Sequence, residues 1–208
     1  MNKLPLVFFG ILIVFASSWI GLVSWPIKNL GNLQPVPDEA TGGVLPTTLS
    51  GLAVAGQKVY AANGCVECHS QQVRLAPLTT DIEKELGTRQ TVARDDLRET
   101  TSFFGTQRIG QDLSNYGART DDANAIHLHL FAPRSVTPWT NMPSYSYLYK
   151  VRKIQGQPSN ESLVGLTGPH APKPGYEVIP TDDAKALVAY LLSLNQNYPL
   201  PESPVAAK

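Results

Sequence analysis

The chain of 208 residues has 17 basic and 17 acidic residues, two cysteines, 16 glycines and 17 prolines. It has no basic patch of the kind that neutralises phosphates, so the composition gives no support to nucleic-acid binding. The length suits one ordinary domain with appendages, and the many prolines and glycines suit a loop-rich domain rather than a large regular sheet.

An uncharged apolar segment lies near the start of the chain. Residues 4–25 read LPLVFFGILIVFASSWIGLVSW and contain no charged side chain. As a helix this segment would extend roughly 33 Å, enough for a hydrocarbon core of about 30 Å. Trp19 and Trp25 lie toward its end, where amphipathic rings favour the membrane interface. A signal peptide cleaved near Ala16 is the alternative. The apolar run continues beyond that point, so we predict a retained single anchor over residues 1–27.

A tether and a tail are predicted on either side of one domain. Residues 28–50 contain Pro, Gly, Asn and Thr throughout and lack apolar periodicity, which predicts an extended tether. A segment packed against a partner would have the same composition. The domain is predicted to span residues 51–198, and residues 199–208 are predicted to form a flexible tail.

Three helices are predicted within this domain. Apolar spacing predicts the first over residues 49–63, ending at Asn63-Gly64 directly before the first cysteine. Residues 120–134 predict a short helix ended by Pro133. Residues 181–196 give the strongest helical pattern, with Thr181 as a predicted N-cap.

The intervening stretches are predicted to be irregular. Residues 81–99 are rich in charge and predict a solvated, partly helical insertion, and residues 154–180 predict a long Pro/Gly-rich loop. The expected fold class is therefore mainly α. It consists of a single N-terminal transmembrane helix and an all-α domain with long loops.

Both cysteines lie in one short motif, GCVECH at residues 64–69. A thioredoxin-type redox pair would need a strand before the motif and a βαβ pattern around it, whereas here the motif follows a predicted helix. A zinc site would need two more ligands. His127 and His129 are spaced too tightly for the usual histidine pair, and the histidine of the motif would be left without a role.

The motif is instead typical of covalent haem c attachment. In C-x-x-C-H, the two thiols add to the haem vinyl groups as thioethers, here from Cys65 and Cys68. The adjacent His69 is then placed under the iron as an axial ligand. Attachment of haem c takes place outside the cytoplasm, so we expect the domain to face the periplasm.

Met142 is the candidate for the second axial ligand. It is the only methionine besides the initiator, and it lies in the segment TNMP, where Pro143 would stiffen the loop. A soft thioether stabilises ferrous iron and raises the reduction potential. A lone methionine can also simply fill a gap in the core. The rival ligands are His127, His129 and His170.

Three segments resemble the mono-haem cytochrome c subunit, subunit II, of cbb3-type cytochrome c oxidases. They are GCVECHSQQVR (64–74), GTQRIGQDLSNYGAR (105–119) and HLHLFAPRSVTPWTNMPSYSYL (127–148). The chain departs from the family at Gln72, where a methionine is usual, and at Gln111, where a proline is usual. Its Pro138-Trp139-Thr140 replaces a segment that is commonly acidic.

The resemblance implies a cytochrome c-like all-α haem domain with long loops. It also implies one covalent haem c with His69 and Met142 as axial ligands. It also implies an electron-transfer subunit of a respiratory oxidase, which receives electrons from a cytochrome c donor and passes them to the haem b/copper catalytic subunit. The chain would have no catalytic centre of its own and would lie in the bacterial inner membrane. The candidates for contacts with the haem edge or propionates are Arg74, Arg108, Arg134, Trp139 and Asn141.

Other functions fit the same residues. A free-standing, membrane-anchored cytochrome c shuttle would have the same anchor and haem motif, and so would the cytochrome subunit of another complex such as nitric oxide reductase. A haem peroxidase or gas-binding cytochrome would require Met142 to be absent from the iron.

Overall fold

The computed structural model describes residues 3–75 and 77–205, which form two compact units. The first unit comprises residues 3–47 with 92–99, and the second comprises residues 48–91 with 100–205. The elements of the first unit are α1 (Leu4–Trp19), a π-helical turn (Ile20–Ser24), α2 (Trp25–Leu30), β1 (Val36–Pro37), β2 (Val44–Leu45) and a 3₁₀ turn (Ala93–Asp96).

The predicted anchor is a continuous helix over Leu4–Leu30. Its 27 residues are long and apolar enough to cross a membrane, and its most apolar stretch has no buried side chain. The helix runs three residues beyond the predicted end of the anchor, and residues 1–2 of that prediction lie outside the described residues. A π-helical turn over Ile20–Ser24 interrupts the α-helical hydrogen bonding.

The segment predicted as an extended tether contains a small β-ribbon. Strands β1 and β2 pair antiparallel, with Val36 opposite Leu45. The Asp38 carboxylate closes the turn between them, since it accepts hydrogen bonds from the Ala40 amide at 3.0 Å and from the Thr41 hydroxyl at 2.5 Å. The tether is therefore locally structured, by a turn that Asp favours through side-chain bonds to nearby backbone.

The second unit carries the three predicted helices and further short elements. These are α3 (Gly51–Ala62), a 3₁₀ turn (Cys65–Glu67), α4 (Tyr116–Arg119), α5 (Ala123–Phe131), α6 (Pro133–Val136), a 3₁₀ turn (Ser146–Leu148), β3 (Tyr149–Lys153), a 3₁₀ turn (Gly168–His170), β4 (Tyr176–Pro180) and α7 (Asp182–Ser193).

The helix ends follow local side-chain chemistry. Thr181 caps α7 as predicted, because its hydroxyl oxygen accepts the Ala184 amide at 3.3 Å. Asp122 caps α5 in the same way, through the Ala125 amide at 3.0 Å. Helix α5 ends at Phe131 rather than at Pro133, and the proline instead begins α6, where its missing N–H is tolerated.

Helices α3 and α7 form the centre of the core. A side chain at Gly56 would place its Cβ 1.9 Å from the Ala186 carbonyl oxygen, so only glycine allows the two backbones to approach this closely. Above this contact the rings of Tyr60 and Tyr190 meet edge to face, with centroids 5.4 Å apart. This packing holds the end of α3, and with it the cysteine motif, against α7.

A two-stranded ribbon replaces part of the predicted loop. Strand β3 pairs antiparallel with β4, with Tyr149 opposite Pro180 and Val151 opposite Val178. The prediction of a loop over residues 154–180 is therefore wrong for residues 176–180. Strand β4 is short, begins soon after Pro174 and ends at Pro180. Its local pattern therefore does not indicate its pairing with β3.

The charge-rich segment 81–99 is more buried than its composition predicts. Within residues 81–99, the side chains of Asp81, Arg89 and Asp95 are all buried, so the prediction of a solvated insertion is wrong at these positions. Charged residues become buried when they are paired, as Asp81 is with an arginine.

The segment predicted to form a flexible tail makes contacts within the second unit. Leu200 is buried, and the Ser203 hydroxyl donates to the Gln90 carbonyl at 3.1 Å. Residues 206–208 of the predicted tail lie outside the described residues.

Candidate haem-binding site

The C-x-x-C-H motif forms one tight helical turn directly after α3. Gly64 breaks the helix with a left-handed backbone, φ 65°, and the Cys65–Glu67 turn follows. The Cys68 amide donates to the Cys65 carbonyl at 3.2 Å, and the His69 amide donates to the same oxygen at 3.0 Å. Both sulfurs and the imidazole are thus supplied by five consecutive residues.

These three side chains line a cavity of about 500 Å³ together with Met142. The described lining contains no Asp, Glu, Lys or Arg side chain. A smaller cavity of about 140 Å³ adjoins it and shares His69, Gln111, His129 and Met142. The smaller cavity is otherwise lined by Leu113, Tyr116, Ile126, Leu130 and Leu191. The site is therefore a largely apolar slot with a few polar groups, as cofactor sites usually are.

The His69 ring is held by a backbone group. Its Nδ1 lies 2.8 Å from the carbonyl oxygen of Gln111, so Nδ1 carries the proton and donates it. The lone pair of Nε2 is left for another partner. Gly110 lies against the face of the ring, because a Cβ there would be 2.2 Å from the His69 Cε1. The segment Gly110-Gln111 thus fixes both the tautomer and the orientation of the imidazole.

The Met142 side chain is held by a turn after α6. The Met142 amide donates to the Thr140 hydroxyl at 3.2 Å, and the Thr140 amide donates to the Thr137 carbonyl at 3.1 Å. Met142 is half-buried and packs against the core, while Pro143 beside it is exposed. A polarizable thioether thereby lines the same cavity as an imidazole from a distant part of the chain.

The Cys65 side chain is half-buried and lies beside a phenol. Burial raises its pKa to about 11, and a hydrogen bond with the Tyr145 hydroxyl opposes part of that rise. The free thiol is therefore protonated at neutral pH, unlike the low-pKa thiolate of a redox-active pair. Burial likewise raises the pKa of Tyr145 to about 12. These surroundings do not favour thiol–disulfide exchange.

The five candidates for haem-edge contacts divide into two groups. Trp139 and Asn141 line the cavity, and the Trp139 side chain is 83% exposed. Arg74, Arg108 and Arg134 do not line it. The Arg74 guanidinium donates to the Gly105 carbonyl at 3.4 Å, Arg108 pairs with the Asp81 carboxylate at 2.5 Å, and Arg134 is exposed.

The three rival histidines also differ in position. His129 lines both cavities, and burial, together with the neighbouring His69, lowers its pKa. The Nδ1 of His127 lies 2.9 Å from the Tyr149 hydroxyl, outside both of these cavities. His170 ends the Gly168–His170 turn and lines neither.

Several residues that shape the site have no recognisable signature in the sequence. Gln111 acts through its carbonyl and Gly110 through its lack of a side chain, so neither role has a side-chain signature. Ile109, Thr137 and Tyr145 line the cavity through residue types that are common anywhere. The one available signal was the position of Gly110-Gln111 inside a segment that resembles a known family.

The residues of the cavity fit a haem c. Two sulfurs from one turn, an imidazole with a free Nε2 and a thioether lining the same slot form the donor set that a covalent, six-coordinate haem requires. Among the described residues, no group of three or more His, Cys, Asp or Glu side chains is placed to hold a metal ion. The geometry therefore favours haem over the zinc alternative.

Most of the chain matches a known protein family. The family model described as cytochrome c oxidase, mono-heme subunit/FixO matches residues 6–164, or 159 of the 208 residues. No curated protein matches the chain at a significant level. The matched range contains all but the first two residues of the apolar helix, together with the C-x-x-C-H turn and the Met142 loop. On this evidence the chain belongs to the FixO family of mono-haem cytochrome c oxidase subunits.

Proposed function

We propose that this subunit relays single electrons through one haem c, bound covalently at Cys65 and Cys68 with His69 and Met142 as axial ligands. The observation that carries the proposal is the cavity itself, which brings these four side chains together from two separate segments. The haem, when bound, supplies one-electron redox chemistry at its iron. Occupation of both axial positions leaves no open site for oxygen.

The residues of the chain would hold and insulate the group. Gln111 and Gly110 would fix the His69 ring so that Nε2 is the nitrogen available to the iron, and the buried side chains of the smaller cavity would exclude water on that side. Exclusion of water and a thioether ligand both favour ferrous iron, so we expect a raised reduction potential. Trp139 and Asn141 remain candidates for contacts with the haem edge.

Membership of the family supports the proposed partners and location. A mono-haem oxidase subunit associates with the catalytic oxidase subunit in a membrane complex. We propose that electrons arrive from a cytochrome c donor and leave for the haem b/copper centre of that subunit. Leu4–Leu30 would anchor the chain in the bacterial inner membrane, with residues 51–198 in the periplasm, where haem c is attached.

A reduced-minus-oxidised visible spectrum of the complex purified from mildly solubilised native membranes tests this function. We expect haem b bands beside a haem c band, together with a component that is sensitive to carbon monoxide. A haem c band alone, insensitive to carbon monoxide, would contradict the oxidase assignment and favour a free-standing shuttle.

Covalent attachment is tested separately on denatured protein. Haem-dependent peroxidase staining after denaturing electrophoresis should follow the full-length chain, and mass spectrometry should show one added haem. The Cys65→Ser and Cys68→Ser variants should each weaken the stain, and the double variant should lose it. Retention of the full stain by the double variant would contradict the proposed attachment.

A further inference from the structure

We propose that Arg108 is a positioning residue for the axial histidine. Its guanidinium holds the segment 110–113 against the residues that follow His69 through hydrogen bonds and ion pairs. We call this network the Arg108 lock, and it keeps the Gln111 carbonyl in place against the imidazole. The inference rests on the proposed function, since it assigns His69 to the haem iron.

Arg108 joins four groups that come from three parts of the chain. Its Nε donates to the Ser70 hydroxyl at 2.6 Å, and its Nη1 donates to the Asp81 carboxylate at 2.5 Å. Its Nη2 donates to the Gln72 carbonyl and lies 3.4 Å from the Asp112 carboxylate. The Arg108 side chain is 19% exposed, whereas those of Asp81 and Asp112 are 4% and 0% exposed. A planar fork of fixed donors is suited to this set of partners.

Asp112 forms the other half of the lock. One carboxylate oxygen accepts from the Ser70 hydroxyl at 2.6 Å and from the Gln72 amide at 2.8 Å. The other oxygen accepts from the Ser114 amide at 2.9 Å and from the Ser114 hydroxyl at 2.6 Å. A carboxylate with no exposed area requires such hydrogen-bond partners, and the Arg108 guanidinium contacts it at 3.4 Å.

The two segments meet directly at the axial histidine. The Gly110 amide donates to the Cys68 carbonyl at 2.9 Å, and the Leu113 amide donates to the Ser70 carbonyl at 2.8 Å. These bonds lie on either side of the contact between His69 and Gln111. The Arg108 lock joins the same two segments at Ser70 and Asp112. These residues directly follow His69 and Gln111, respectively. Its loss would therefore let the Gln111 carbonyl move relative to the ring.

This role differs from the haem-edge contact expected from the sequence. Arg108 does not line the cavity, and its Nε, Nη1 and Nη2 all have partners within the protein. A residue that acted only through its charge would tolerate lysine. A residue that acts through the geometry of its fork would not.

The test uses the purified full-length haem-loaded protein and compares wild type with Arg108→Lys. Two readouts report on His69 rather than on general stability: the ferric low-spin electron paramagnetic resonance signal, which depends on the orientation of the axial imidazole, and the solvent exchange of the His69 Nδ1 proton in the reduced state. We expect shifted g values. We also expect the Nδ1 proton to exchange at least about tenfold faster, because the free energy of a hydrogen bond to a charged group corresponds to a factor of that size or more in the closing equilibrium.

A second variant keeps the test decisive if Arg108→Lys does not fold. Ser70→Ala removes the hydroxyl between Arg108 and Asp112 and should change both readouts in the same direction by a smaller amount. The matched control is Arg98→Lys, at an exposed arginine outside this network, which should match wild type. Wild-type readouts in both Arg108→Lys and Ser70→Ala would overturn the inference. The absence of a low-spin haem c signal from wild type would instead overturn the proposed function.

Discussion

The Nδ1 atom of His69 lies 2.8 Å from the carbonyl oxygen of Gln111, a residue 42 positions further along the chain. A proton on Nδ1 leaves the Nε2 lone pair free, so this single contact determines which ring nitrogen can bind another partner. The carbonyl belongs to a position where the family usually has proline. A backbone acceptor serves equally well with either residue, because its function does not depend on the side chain.

Gly110→Ala should disturb the axial histidine. The new Cβ would lie 2.2 Å from the His69 Cε1, and both the ring and the backbone around it are held by hydrogen bonds. We expect a loss of about 1–3 kcal/mol in the free energy of unfolding, the usual range for overpacking, and a lower haem content. Urea denaturation and the haem-to-protein absorbance ratio measure the two effects.

Gly51→Ala is the matched control for that substitution. No heavy atom lies within 4 Å of a Cβ at Gly51, which begins α3. Alanine there should leave haem content unchanged and should raise stability by about 0.4–1 kcal/mol at most. Equal effects of the two substitutions would contradict the close approach of Gly110 to the ring.

Met142→Ala should remove a soft axial ligand from the iron. We expect the far-red sulfur-to-iron charge-transfer band of the ferric protein to disappear. The reduction potential should fall by on the order of 0.1 V, a fraction of the roughly 0.8 V range that axial ligation covers. A redox titration followed in the visible measures the potential. A six-coordinate, low-spin haem with unchanged potential in this variant would show that another residue, such as His129, is the ligand.

Thr181→Ala should destabilise α7 and the core around it. The Thr181 hydroxyl accepts from the Ala184 amide at 3.3 Å and donates to the Leu148 carbonyl at 2.7 Å. Loss of an N-cap typically reduces stability by about 1 kcal/mol, and the second bond should bring the loss to about 2 kcal/mol. Urea denaturation should show this shift, whereas Thr181→Ser, which keeps the hydroxyl, should remain near wild type.

Stability should decrease in mild acid because of His127. Burial, and to a smaller extent the positive charge of Lys185, lowers the pKa of His127 from its ordinary value of 6.5. The ring contacts the Tyr149 hydroxyl, and Lys185 is paired with Glu161 at 2.5 Å. In the window below 6.5 the unfolded chain binds more protons at this residue than the folded protein does. The stabilising contribution is therefore fully present above that pH and is lost as the pH falls through the folded value.

The difference between wild type and His127→Gln isolates this contribution. Urea midpoints measured between about pH 7.5 and about pH 5 should fall more steeply for wild type, since glutamine does not titrate. A difference between the two proteins that stays constant over this range would show that His127 titrates alike in the folded and unfolded states.

The sequence by itself determined those features that local chemistry requires. An uncharged run long enough to cross the hydrocarbon core predicts a membrane helix. Charged side chains are costly in that core, and a helix satisfies all of its own backbone hydrogen bonds there. Cys65, Cys68 and His69 predict haem attachment, since a rigid macrocycle needs its anchors and ligand from one turn. Thr181 predicts the start of α7, since its capping bond is made within the same turn.

Only the tertiary structure decided which distant residues meet. Arg108 and Arg134 look alike in the sequence, yet one joins two buried carboxylates and the other is exposed. His127 and His129 lie on the same helix, yet only His129 lines the cavity with His69 and Met142. The β3–β4 ribbon and the role of Gln111 depend on backbone hydrogen bonds between remote segments. Such bonds are specific to the folded chain and almost independent of residue type, so no local pattern encodes them.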